Sequence, residues 1–490
     1  MKNVFDVRVF RRFRAALFLV AAVAGSTAVA AQQGDLTSSA GVFVSPTNAK
    51  RKPRQGERAT VKVAPHRRNR SGAGKTTTPA VTPDKTGGRR PPAENAEALN
   101  AKGEAAIEAG RFQDAVGLLT KAVGLRPGYP DAHYNLGLAH FSLGNYAEAS
   151  KALGTTTRLD EKDEEAFALL GAALLNSGRH AEAVVAYERA SKLSPRNVET
   201  FYGLGSALAG AGNSDRAIEA YRQVLILKPD HADAQLDLAD AYSEKGRFAE
   251  AVESYRLVLR QTPSNAEAAT SLGDAYRALE RYAEAAAAYK DAARLKPDDA
   301  AVLESLGYVT GREKRWPEAA SALKQAIRLK PDITDAYVNL AWVYNNTNQF
   351  QEAVGILKQV IARRPDAPKA HFNLGFAYTR MAQTGGKKGE ELKALYNQAA
   401  ESFGAAVSQR PDWPEAHTNL GGALGGTGRF KEAIASHLAA LRLKPDYPGA
   451  LFNLAVAYRK DGNKKEALKT YEKLKSLNSK LADTLYPLIK

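Results

Sequence analysis

His133 and His140 stand seven residues apart, close enough to share a helix face, yet no carboxylate or cysteine constellation completes a metal site around them. Cysteine is absent, which excludes disulfides, thiolate metal sites, a cysteine nucleophile and a lipidated cysteine. Gly74-Lys75-Thr76 has the composition of the end of a phosphate-binding loop. Its first glycine would have to stand where Asn69 does, and no strand pattern precedes it. The remaining chemistry is electrostatic. Arg51, Lys52 and Arg54, then Arg67, Arg68 and Arg70, form two basic clusters suited to an anionic partner: a cell-envelope polymer, a membrane surface or an acidic protein. The opposing reading is a solvated linker held extended by its own charge.

Charge is unevenly distributed along the 490 residues. The formal net charge is +16, from 69 Lys and Arg against 53 Asp and Glu. Residues 1–95 hold 18 basic against 5 acidic residues, which leaves 51 against 48 for residues 96–490. The basicity belongs to the N-terminal segment, whose clusters at 51–54 and 67–70 have no stacking aromatics interleaved. Nucleic acid is therefore a disfavoured partner.

The elements that must position any site are announced by proline. Pro195, Pro229, Pro263, Pro297, Pro331 and Pro365 recur every 34 residues, and Pro127, Pro411 and Pro445 extend the series across one missing proline and one insertion. Proline lacks an amide hydrogen and clashes with the preceding helical turn, so each marks the end of an element. Within one unit, Phe167, Leu170, Gly171 and Leu174 fall at helical spacing, and Asn176-Ser177-Gly178 ends the run. Ala183, Tyr187 and Ala190 then continue a second helix that stops before Pro195. Gly171 and Ala183 are expected to bring the two backbones close, and Phe167, Leu170 and Tyr187 to fill the space beside them. Asp230, Asp298, Asp332, Asp366, Asp412 and Asp446 follow the prolines and are expected to cap the next helix. The fold class is all-α, a stack of helical hairpins in which each buries its apolar face against its neighbours.

The first 95 residues follow other rules. Arg8, Arg11, Arg12 and Arg14 precede an apolar run from Ala15 to Gly25 and a small-residue stretch ending at Ala31, the layout of a secretory signal peptide. The run is shorter than the roughly 20 residues a spanning helix needs, so cleavage after Ala30 or Ala31 is favoured over an uncleaved membrane anchor. Export, to a periplasmic or cell-envelope location, is the expectation. Residues 32–95, rich in Pro, Thr, Gly and basic side chains, carry almost no apolar periodicity and read as a disordered linker.

The 34-residue unit, with a large residue at position 4, Leu-Gly or Leu-Ala at 7–8, Ala at 20, an aromatic or Leu at 24 and Pro at 32, resembles the tetratricopeptide repeat (TPR). Eleven units fit between residues 96 and 479, and residues 480–490 read as a short C-terminal cap. The ninth carries extra residues within 381–392, expected to lengthen the turn between its helices as a contact loop or a neutral insertion. The resemblance implies a right-handed α-α superhelix whose concave surface, lined by the first helix of each pair, holds a peptide or protein segment. His133, His371, His417 and His437 then fall where the family places packing residues.

On that surface, position 6 is Asn339, Asn373, Asn419 and Asn453 in four consecutive repeats, and Asn135 near the start. An asparagine amide offers donor and acceptor together and can pair with an extended peptide backbone whatever its sequence. This is similar to the asparagine ladder of O-linked N-acetylglucosamine transferases. Positions 5 and 9 add Tyr308, Trp342, Phe372, Phe376 and Phe452 as expected groove lining or inter-repeat packing. No unit has the Lys/Asn pair of a carboxylate clamp. Only 11 residues follow Ser479 where those transferases carry a catalytic domain. The sequence therefore points to a non-catalytic protein-interaction scaffold without cofactor or metal, with an envelope-assembly or polysaccharide or pilus export component as one alternative. The other is a repeat region acting with a separate enzyme.

Overall fold

A computed structural model describes residues 95–384, 386–477 and 479–490. The expected signal segment 1–31 and basic clusters at 51–54 and 67–70 lie outside the described residues, as does the expected linker apart from Asn95. The described residues form 23 α-helices and no strand.

They fall into two compact units, divided after Glu280. The first contains α1 (Ala96–Glu108), α2 (Phe112–Leu125), α3 (Pro130–Ser142), α4 (Tyr146–Leu159), α5 (Glu164–Asn176), α6 (His180–Leu193), α7 (Val198–Gly210), α8 (Ser214–Leu227), α9 (Ala232–Glu244), α10 (Phe248–Gln261) and α11 (Ala266–Ala278). The second contains α12 (Tyr282–Leu295), α13 (Ala300–Arg312), α14 (Trp316–Leu329), α15 (Thr334–Asn346), α16 (Phe350–Arg363), α17 (Pro368–Thr384), α18 (Gly389–Gln409), α19 (Pro414–Gly426), α20 (Phe430–Leu443), α21 (Pro448–Lys460), α22 (Lys464–Ser476) and α23 (Leu481–Ile489). Odd-numbered helices up to α21 are the first, or A, helices of their repeats. Even-numbered helices are the B helices. Inside each unit successive A helices touch, whereas successive B helices are held farther apart. The A helices therefore form the inner side of each stack.

The local chemistry of the third repeat shows why a hairpin forms. The Asp163 carboxylate accepts from Ala166 N at 2.9 Å and opens α5. At the far end Gly178 adopts φ +77°, which lets its own N–H reach Leu175 O at 3.0 Å and Arg179 N–H reach Leu174 O at 2.9 Å. The buried stripe is not quite the expected one. Ala166, Leu169, Ala172, Ala173 and Leu174 are buried, while Phe167 and Leu170 are half-buried. Gly171 also serves a different purpose. A Cβ there would lie 2.8 Å from the Tyr187 ring, so the glycine admits a large side chain from α6 rather than the α6 backbone.

The aspartates after the prolines do not cap. Where a side chain caps, it stands one position later: His231 and Asp299, after Asp230 and Asp298, and Asn265, after Ser264, accept from amides of α9, α13 and α11, whereas Ile333, Trp413 and Tyr447 make no such bond. Asp366, Asp412 and Asp446 instead lie near Arg364, Arg410 and Lys473 as exposed ion pairs. Such pairs contribute little, because water screens both partners. Replacing the capping Asp163 by Ala should cost about 1 kcal/mol. Hydrogen exchange in the first turn of α5 would register it, and an unchanged Ala166 amide would show that the cap does no work.

The ninth repeat departs from the expected long turn. Its extra residues are almost all helical: α17 has 17 residues and α18 has 21, against 13 and 14 for α15 and α16. The hairpin is taller, and Lys387 pairs with Glu391 at its tip. At the C-terminus Leu485 and Ile489 of α23 bury themselves in a cluster with Leu451, Phe452 and Leu474. The cap thus covers an apolar face that would otherwise meet water.

Candidate functional site

The position-6 asparagines sit where the A helices meet. Asn339 and Asn373 are fully buried, and Asn419 and Asn453 nearly so. Asn419 Nδ2 donates to Glu415 O at 2.8 Å, one turn back in its own helix. Asn135 Nδ2 donates to Asn100 Oδ1 at 3.1 Å, linking the first two A helices.

One amide missed in the sequence completes the picture. Asn345 lies at position 12 of α15, and its Nδ2 donates to Asn373 O on α17 at 3.2 Å. The same amide leaves Oδ1 buried without a hydrogen-bond partner, and Asn453 Oδ1 is in the same condition. Buried acceptors are almost always satisfied, so two of them on the A-helix side call for an explanation. Position 12 lies seven residues after position 5 and three after position 9, on that face of the A helix. A search along the repeat for recurring amides alone misses Asn345, because only one repeat of the asparagine run carries it.

The aromatic residues divide. Phe372 is fully buried, stacked on Trp413 at 4.5 Å between centroids and edge-on to Phe403 at 5.4 Å. It belongs to the core between its own B helix and the following turn, and lines no groove. Phe452 is likewise fully buried within the cluster that α23 closes. Phe376 is buried in the same large cluster as Phe372. Tyr308 is buried, edge-on to Tyr282, and Arg312 Nη1 donates to its hydroxyl at 3.5 Å. Trp342 is half-buried and packs against Trp316 with centroids 5.0 Å apart. Of the five expected lining residues, Trp342 presents the largest open surface.

The histidines are accounted for by packing. His133, His371 and His417 make the same contact in three repeats, placing Nε2 2.8–2.9 Å from the carbonyls of Pro127, Pro365 and Pro411. Tyr337 donates its hydroxyl to Pro331 O from the equivalent place. His437 is buried against Gly421, where a Cβ would lie 2.5 Å from its ring, and burial holds its pKa down at about 3. Among the described residues no group of three or more His, Cys, Asp or Glu could hold a metal ion. No helix among them is long and apolar enough to cross a membrane.

Family comparisons decide the unit's identity. Tetratricopeptide-repeat models match residues 106–173 and 449–480, and a TPR repeat model matches 174–212 and 426–462. The chain is a tetratricopeptide-repeat protein. A model described as the cilia and flagella-associated protein 70 C-terminal domain matches residues 197–410 of this TPR chain. No curated protein matches it. Among solved structures, the TPR chain is similar to MamA, at 27% identity over 34% of this chain and 96% of that one, with a TM-score of 0.32. It is also similar to a chain of the APC/C hetero-tetramer Cut9-Hcn1, at 15% identity over 81% and 96%, TM-score 0.40. A third is yeast Tom70, at 15% identity over 80% and 93%, TM-score 0.37.

Proposed function

We propose that this TPR protein is a non-catalytic interaction scaffold that holds an extended protein segment against the A helices α15 to α21. The observation that carries this reading is the pair of orphan amide oxygens, Asn345 Oδ1 and Asn453 Oδ1, set among the position-6 asparagines on the inner side. A backbone N–H from a bound strand is the donor that such an acceptor lacks. Trp342 supplies an apolar surface beside it. The layout of residues 1–31 supports export, and we assign the scaffold to the cell envelope, as a component of an assembly or export apparatus.

The asparagines also supply the test. An orphaned buried acceptor costs about 1–3 kcal/mol, so Asn345→Ala and Asn453→Ala should leave stability unchanged or raise it. Segment binding should weaken, by about tenfold for each lost backbone bond. A photo-crosslinking residue in place of Trp342, used in intact cells, would identify the segment, and its synthetic peptide would give the affinities. If both alanine variants bind that peptide as tightly as the parent chain, the reading fails. Adducts with cytosolic proteins alone would overturn the export assignment.

A further inference from the structure

The two sides of the first unit carry very different charge. Its six A helices, α1, α3, α5, α7, α9 and α11, contain thirteen Asp and Glu and only two Lys and Arg. Its five B helices contain eight acidic and nine basic residues. The segregation peaks at α9, where Asp233, Asp237, Asp240 and Glu244 occur with no basic residue. Asp237 and Asp240 accept from the hydroxyls of Tyr202 at 2.9 Å and Tyr255 at 2.5 Å, contacts that fix the carboxylates without cancelling their charge. The A helices of the second unit show no such bias. Together α13, α15, α17, α19 and α21 hold three acidic and five basic residues.

The most basic stretch of the chain enters this same unit. Residues 1–95 carry a net charge of +13, and α1 begins one residue later. Asn95 lies twenty-five positions beyond Arg70. Fully extended, they span about 80 Å. Four repeats of touching A helices place α9 on the order of 40 Å along the stack. The segment is long enough, and being tethered it faces the acidic side at an effective concentration on the order of millimolar.

We propose that residues 51–70 dock along the acidic A-helix face of the first unit, with Arg67, Arg68 and Arg70 against α9. The chain then carries its own occupant for that face, and an external basic segment must displace it. This proposal concerns α1 to α11 and is independent of the asparagine reading, which concerns α15 to α21.

The absence of cysteine makes the test direct, since two introduced cysteines are the sole labelling sites. Nitroxides on Ser71→Cys and Ala278→Cys of the full chain should give a short-distance population at low salt. That population should be lost in 1 M NaCl, where the screening length falls to about 3 Å. Arg67→Gln, Arg68→Gln and Arg70→Gln together should abolish it while leaving the repeats untouched. Asp233→Asn, Asp237→Asn, Asp240→Asn and Glu244→Gln should do the same from the other side, with helix content as the folding control. A distance distribution indifferent to salt, or indifferent to the arginine changes, overturns the proposal. So do short distances that arise only in mixtures of singly labelled chains, since the contact is then between molecules.

Discussion

Phe372→Ala should destabilise the second unit by about 3–5 kcal/mol, the cost of emptying a site that a buried aromatic ring fills. The ring is fully buried between Phe403 of α18 and Trp413, which precedes α19. Its loss opens a cavity at the junction of two repeats. Solenoid stability is a sum of repeat and nearest-neighbour terms, so the damage should be local at first. Amide protection should fall in α17, α18 and the start of α19 before it falls elsewhere. Chemical denaturation with hydrogen exchange would measure both. A loss below about 1 kcal/mol would restore Phe372 to the groove, the other of the two places the position-5 pattern allowed.

His437→Leu should make α19 to α21 resistant to acid. The imidazole is buried, its Nδ1 has no partner, and burial alone lowers its pKa from 6.5 to about 3. A folded-state value below the unfolded one means that the unfolded chain binds the proton first. Above about pH 6.5 the ring is neutral in both states and carries no proton-linked cost. Stability falls as the pH drops below that value, and the loss levels off near pH 3. Over the full window the linkage is on the order of 5 kcal/mol. Leucine occupies the same repeat position as Leu119, Leu153 and Leu323, all fully buried against a position-8 glycine. The comparison is the difference between parent and variant from pH 7 to 4, since carboxylates titrate in both. Parallel pH profiles would show that His437 is not the proton acceptor.

The repeat was readable because its signals are local and recur. Proline follows nine of the eleven B helices, glycine closes most A–B turns with a positive φ, and alanine at position 20 is fully buried from Ala115 to Ala467. In three turns Glu280, Lys314 and Asn348 take φ values of 57–60° in place of glycine, at a backbone cost of roughly 1 kcal/mol each. What escaped the reading depends on neighbours. A carboxylate one residue from the true cap looks like the cap until the hydrogen bonds are seen, as with Asp298 and Asp299. Phe372 looks like groove lining because position 5 belongs to the A helix, the inner element of each repeat, but Trp413 reaches over it from the next turn. Asn345 occurs once at its position, so no periodicity reveals it. The charge asymmetry of the first unit was hidden by near-neutrality over residues 96–490, where acidic inner helices are averaged with everything else.

The tall hairpin of the ninth repeat was lengthened without altering how its helices meet. Gly375 still faces Phe403, as Gly307 faces Leu323 in a repeat of ordinary length. The added turns stand beyond that junction, so the tip at Lys387 and Lys388 bears on none of the packing below it. For protein engineering it is a ready grafting point, where a fluorescent protein or an epitope could be carried by the stack while both of its ends stay free.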